Sequence, residues 1–192
     1  MHMKKIVFNL SLLCFFIFLF SSKIYSFDRE LIVNEIKNKI ESDQDINDKI
    51  KLFYTEIFYE PYWQKNKSKI NDLLNILSNS HKEGIPTNRY EIQNIINLNI
   101  SKKESDIAKL DIMLTKNFLL HAKDLSKGII DPLKLSSFIE IKREDTENED
   151  FLINLTEEIN IKEYFESLRP KDSDYLKLMI ELANLKLLKN TN

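Results

Sequence analysis

The 192-residue chain contains one cysteine, two glycines, four prolines, one tryptophan and three histidines, and each scarcity excludes something. Cys14 lies inside an N-terminal apolar run and follows Leu13 rather than a small residue, so it reads as an apolar filler and not as a lipid-bearing cysteine. Beyond that run there is no thiol: no disulfide, no thiolate nucleophile and no cysteine-based metal site. So few glycines and prolines do not supply the turn chemistry of an all-β or strand-alternating fold. No Gly-rich phosphate loop and no G-x-S-x-G motif occurs. His81 and His121 have no HExxH or other ligand spacing around them, so neither a metal nor another cofactor is expected. His81 is instead expected to interact with a helix C-terminus. With 28 Lys+Arg against 30 Asp+Glu, the basic face that nucleic acid requires is also missing.

What is present is an export pattern followed by helical periodicity. Lys4 and Lys5 precede an apolar run from Ile6 to Phe20, then Ser21 and Ser22, with cleavage expected after Ser22 or Ser26. The run is about fifteen residues long, short of the roughly twenty that span a bilayer. Residues 1–26 are therefore expected to be a signal peptide or N-terminal anchor, the sole membrane element, with the protein exported to the periplasm or held on the inner membrane facing it. Residues 28–192 are expected to form a single all-α, multi-helix domain, long enough for its own core. The excess of Ile, Asn and Lys reflects an AT-rich bacterial genome.

The most sharply written segment is Leu110 to Pro132. Ile107, Leu110, Leu114, Phe118 and Leu125 repeat at helical spacing, and Asp111 and Thr115 share that apolar stripe, so each needs a hydrogen-bond partner from a neighbouring element. Gly128 is placed for a left-handed C-terminal cap, and Asp131-Pro132 restarts the chain. Gly84 repeats the logic, with Pro86 and a capping box Asn88-x-x-Glu91 after it; Ser101-x-x-Glu104 reads as a second box. Earlier, Ile50, Phe53, Tyr54, Ile57 and Phe58 form a core stripe ended by Pro61. Tyr62 and Trp63 fall beyond it and are the candidates for an exposed platform on which sugar rings stack. Glu56 with Glu60 is the nearest approach to a hydrolase acid pair. The apolar piece ending at Ile141 and the charged run 142–150 precede the last helices, the final one expected to bury Tyr175, Leu178, Leu182 and Leu185, with Met179 beside them.

Taken in order, these motifs resemble the helical scaffold domain of the large periplasmic murein L,D-transpeptidases (YcbB-like). Phe53-Tyr54 and Pro61-Tyr62-Trp63 resemble that family's Phe-Tyr and Pro-x-Trp signature. Gly84 to Tyr90 resembles its Gly-Leu-x-Pro-x-x-Tyr, with the proline one position early. Asp111, Thr115, Asp124-Leu125, Gly128 and Asp131-Pro132 resemble its long-helix signature, and Leu168-Arg169-Pro170 with Tyr175 and Leu178 its closing helix. The family's crosslink exchange uses a cysteine and a histidine near a Ser-x-Gly-Cys signature in a later domain. This chain ends at Asn192 without one, so the resemblance implies a non-catalytic envelope module whose partners are peptidoglycan or a cell-wall enzyme. The alternative it implies is the truncated or split front half of an L,D-transpeptidase.

Overall fold

Helical spacing of isoleucine and leucine, interrupted by short polar stops, produces helices throughout the computed structural model, which describes residues 28–130, 151–156 and 159–190. α1 runs Arg29–Ser42, with Asp28 accepting from the Leu31 amide at its start. α2 runs Asp48–Glu56, capped by the Asn47 side chain on the Lys49 amide. A 3₁₀ turn, Trp63–Lys65, leads into α3, Lys67–Asn79. Two further 3₁₀ turns, Ser80–Glu83 and Thr87–Tyr90, precede α4, Ile92–Asn99. The long α5 spans Glu104–Lys127; then come the single turn α6, Ile153–Thr156, α7, Ile161–Leu168, and α8, Ser173–Asn190. No strand occurs among the described residues, and none of their helices is long and apolar enough to cross a membrane.

α5 is the axle. It packs against α1, α3, α4, α7 and the Trp63–Lys65 turn, and fourteen of its residues are buried. One apolar cluster runs from Ile32 to Phe165 through Leu73, Leu77, Leu114 and Phe118. α8 stands apart from that cluster and packs chiefly on the Ser80–Glu83 turn. The expected stripe of Tyr175, Leu178, Leu182 and Leu185, with Met179, is corrected at two positions, Leu178 and Leu185. Tyr175, Met179, Leu182 and Lys186 face inward, while Leu178 and Leu185 are exposed, because a helix that docks on a single turn selects one of several apolar stripes.

The terminators are partly as expected. Gly84 adopts φ 78, ψ 4, the left-handed cap, and Gly128 has φ 71 but an extended ψ of 161. Asp131, Pro132, the Ile141 segment and the 142–150 run lie outside the described residues. Neither expected capping box forms. Glu91 itself takes φ 46 and accepts from the Asn94 side chain, and Ser101 bonds Asp106 at 2.6 Å instead of capping α5, which starts at Glu104. The aromatic stripe also stops early. α2 ends at Glu56, and Phe58 and Tyr59 turn left-handed at φ 55 and 58, so Phe58 is 81% exposed rather than core.

Candidate functional site

Two polar nodes sit on α5, and their geometry follows from which helix positions it buries. At the first, Asp111 Oδ1 accepts from the Tyr54 hydroxyl at 2.9 Å and the Tyr62 amide at 3.1 Å, while Oδ2 accepts from the Trp63 amide at 2.8 Å. One turn on, Thr115 Oγ1 accepts from Trp63 Nε1 at 3.0 Å, lies 2.9 Å from the Tyr54 hydroxyl, and can donate to the Asp111 carbonyl at 3.1 Å. The expected hydrogen-bonded pair thus exists, and it joins α5 to both α2 and the 3₁₀ turn after Pro61. Burial pushes the Asp111 carboxyl up to about 7, against the pull of its donors. Burial, with the Asp111 charge beside it, also drives the Tyr54 phenol well above its ordinary value, so Tyr54 is a hydrogen-bond donor and not a base.

This node overturns the platform expectation. Trp63 is 0% exposed, its backbone amide and its indole both engaged, and Tyr62 is half-buried with its ring edge-on to Phe53 and Trp63 at 5.8 and 5.2 Å. An aromatic beyond the α2 stripe was expected outside because local periodicity cannot register an acceptor 48 residues away.

The second node lies three turns along α5. Arg89 grips Asp124 with Nε on Oδ2 at 2.9 Å and Nη2 on Oδ1 at 2.8 Å, the two-pronged geometry of guanidinium on carboxylate. Tyr90 donates its one hydroxyl proton to Asp124 Oδ2 at 3.0 Å. The Tyr90 oxygen then accepts from His121 Nδ1 at 2.9 Å, which assigns the proton of neutral His121 to Nδ1. Its Nε2 is buried with no hydrogen-bond partner among the described residues. Burial pushes His121 down to about 4, so the ring stays neutral at ordinary pH. Burial raises the Tyr90 phenol too. The two nodes are linked by rings: Trp63 to Phe118 at 6.4 Å, Phe118 to Phe165 at 5.0 Å, Phe165 to His121 at 4.8 Å, and His121 to Tyr90 at 5.5 Å.

The other singled-out residues do not assemble into a reactive group. Glu60 is gripped by Arg29, which holds its carboxyl below the usual range, and also meets Lys65; Glu56 is exposed on α2. His81 is exposed, with Nδ1 3.1 Å from the Ser78 carbonyl oxygen at the end of α3, as expected of a helix C-terminus. Pro61 is buried, Pro170 exposed and Tyr175 half-buried against the Ser80–Gly84 corner. No group of three metal-ligating side chains occurs among the described residues. Sequence reasoning missed Arg89 and Glu83. Arg89 could have been suspected from its place beside Tyr90 and the buried Asp124. Glu83, whose Oε1 takes both Nε and Nη2 of Arg169, left no signal.

No curated protein and no solved structure matches the chain. A family model does, over more than half the length and across both nodes. Residues 48–182 match the model described as Scaffold domain, and the chain belongs to that family, the L,D-transpeptidase scaffold domains.

Proposed function

We propose that the chain is a non-catalytic module of the cell envelope that positions the machinery of peptidoglycan crosslinking, by docking a cell-wall enzyme or the wall itself. The observation that carries this is how the domain uses its buried polar side chains. Asp111, Thr115, Asp124 and His121 bond across helices, and among the described residues none sits beside a nucleophile in reach of substrate. A domain whose polar groups are committed inward works through its shape and its surface. The exposed Leu176, Leu178, Ile180 and Leu185 of α8 support an apolar contact there. The same face supports the second reading, the front half of an L,D-transpeptidase, in which a following catalytic part would cover it. Export to the periplasm rests on the leader pattern alone.

The test uses the full chain in mild detergent, incubated with purified sacculi, with and without an L,D-transpeptidase catalytic part. The chain is expected to co-sediment with sacculi or to retain the enzyme, and to release no muropeptides alone. Fragment release by the chain, or binding to neither partner, overturns the proposal. A transcript that continues into a segment encoding Ser-x-Gly-Cys selects the second reading.

A further inference from the structure

Glu91 is a residue whose place the fold explains and whose identity it does not. It opens α4 at φ 46, ψ 41, left-handed backbone that glycine or asparagine adopts more readily than a side chain of this length. The turn is accounted for: Arg89 and Tyr90, just before it, are held on Asp124, and the chain changes direction at Glu91 to enter α4. The glutamate is not. Its side chain caps no amide of α4, and its one hydrogen bond among the described residues, Oε2 accepting from Asn94 Nδ2 at 3.2 Å, lies at the surface. A strained residue persists where something other than the local backbone selects it.

Its surroundings say what can use it. Glu91 lines a cavity of about 360 Å³ that it shares with the end of α1, the loop after it and α5, a size that suits a small molecule. The apolar lining is Ile46, Ile112 and Met113, the two isoleucines buried and the methionine half-buried. Most of the charge around the cavity is already balanced: Asp43 pairs with Lys116 at 3.6 Å, and Lys39 with Glu35 at 3.9 Å. Glu91 and Lys109 remain. Lys109, from α5, is exposed and has no ion partner among the described residues, and the two do not pair with each other although they line the same space. A carboxylate and an ammonium held apart over an apolar lining are complementary to a molecule with an ammonium, a carboxylate and an apolar body. A simple cation or anion would engage one of the two and leave the apolar lining in water.

We propose that the cavity between α1 and α5 binds a zwitterionic amino acid or short peptide: its ammonium on the Glu91 carboxylate, its carboxylate on the Lys109 ammonium, and its aliphatic side chain on Ile46, Ile112 and Met113. The site stands on the geometry of the domain and goes beyond the envelope reading. Free dipeptides and the peptide stems of the wall share this chemistry, and the experiment separates them.

The experiment titrates the full chain, in mild detergent, with the dipeptide alanyl-leucine, its N-acetyl form and its C-terminal amide, read by the methyl NMR signals of Ile46, Ile112 and Met113. The free dipeptide is expected to shift these signals saturably. Each blocked form should bind about fivefold more weakly, the worth of one partly exposed ion pair. Glu91→Gln should erase the penalty of acetylation alone, and Lys109→Met that of amidation alone, a crossed pattern that loss of folding does not produce. Equal affinity for the three ligands, or no saturable shift, overturns the proposal. Muropeptides released from sacculi by a muramidase form the second arm: competition with the dipeptide supports a wall stem as the source, and binding of the dipeptide alone supports a free peptide. Sacculus co-sedimentation reads docking by the whole surface, so that reading and this one can fail separately. Glu91→Gly supplies an independent check. It should raise the melting temperature by about 2 °C, because glycine suits the turn, while losing the preference for a free ammonium. A lower melting temperature would mean that the carboxylate serves the fold, and the proposal would be wrong.

Discussion

Removing the Asp111 carboxylate should uncouple three elements at once, and the size of the loss can be worked from its partners. Asp111→Ala strips the acceptor from the Tyr54 hydroxyl, the Tyr62 amide and the Trp63 amide; Tyr54 and Trp63 are fully buried and Tyr62 half-buried. A buried donor left unpaired costs about 1 to 3 kcal/mol, and the least buried of the three recovers part of that from water. The expected loss is therefore about 4 kcal/mol, roughly 12 °C of melting temperature for a domain of this size. The chain's single tryptophan sits on this node, so Trp63 fluorescence and helical circular dichroism should report one shared transition. A variant melting within about 2 °C of the parent would refute the claim that Asp111 joins the helices. Trp63→Phe and Thr115→Val refine the test. The first removes the indole bond to Thr115 but leaves the backbone amide on Asp111. Being in direct contact, the two should show a coupling of about 1 kcal/mol in a double-mutant cycle.

The remaining expectations concern the second node, the pH response and one turn. His121, lowered from 6.5 to about 4 in the folded state, contributes stability that is present above pH 6.5 and lost as pH falls toward 4, roughly 3 kcal/mol over that window. Asp111, raised from 3.8 to about 7, has the opposite sign: its contribution is present below pH 3.8 and lost as pH rises through 7. The two slopes oppose between pH 4 and 6.5, so urea titrations should find His121→Asn gaining stability on acidification and Asp111→Asn losing it; parallel profiles would contradict both assignments. Arg89→Lys keeps the charge but not the fork on Asp124, and should cost about 2 kcal/mol in chemical denaturation; an unchanged midpoint would show that the grip is idle. Gly84→Ala meets nothing closer than Leu182 Cδ2 at 3.8 Å, so its cost of about 1 kcal/mol should come from φ 78 alone, and a loss of several kcal/mol would point to a clash instead.

Periodicity was legible wherever an element buries one stripe against a large neighbour. α1 with Ile32, Ile36 and Ile40, and α5 with Leu110, Leu114 and Phe118, lie where three-and-four spacing puts them. The Asp111–Thr115 pair was legible as a demand for partners, because polar groups on an apolar stripe must bond to something. Which partners was not, since Tyr54 and Trp63 lie 57 and 48 residues from Asp111. The same distance explains the error at Trp63, whose burial is imposed by α5 rather than by its own helix. Capping was the weakest inference. Asn88-x-x-Glu91 and Ser101-x-x-Glu104 have the right letters, yet Arg89 and Tyr90 are drawn to Asp124, which sets the backbone leading into α4, and Ser101 finds Asp106 closer. On α8 the pattern places Tyr175, Met179 and Leu182 inward but not the outward turn of Leu178 and Leu185, because a helix apolar on several sides does not declare which side it buries.

The two nodes share a design with a consequence for how the domain works. Each ties α5 to a 3₁₀ turn, Trp63–Lys65 at one level and Thr87–Tyr90 at the other, through a buried aspartate facing a tyrosine hydroxyl. Turns of this kind have few backbone bonds of their own, so the aspartates supply the constraint that regular helix would. The rings of Phe118 and Phe165 then connect the levels, so the body around α5 behaves as one packed unit. α8 is held differently, by the Lys186 contact to the His81 carbonyl, while the Arg169–Glu83 pair fastens the end of α7, just before α8, to the same Ser80–Glu83 turn. A rigid body with one lightly attached, doubly apolar helix implies an order of opening. Hydrogen exchange should release α8 first and α5 last, and a partner that binds the exposed face of α8 should slow the former without touching the latter.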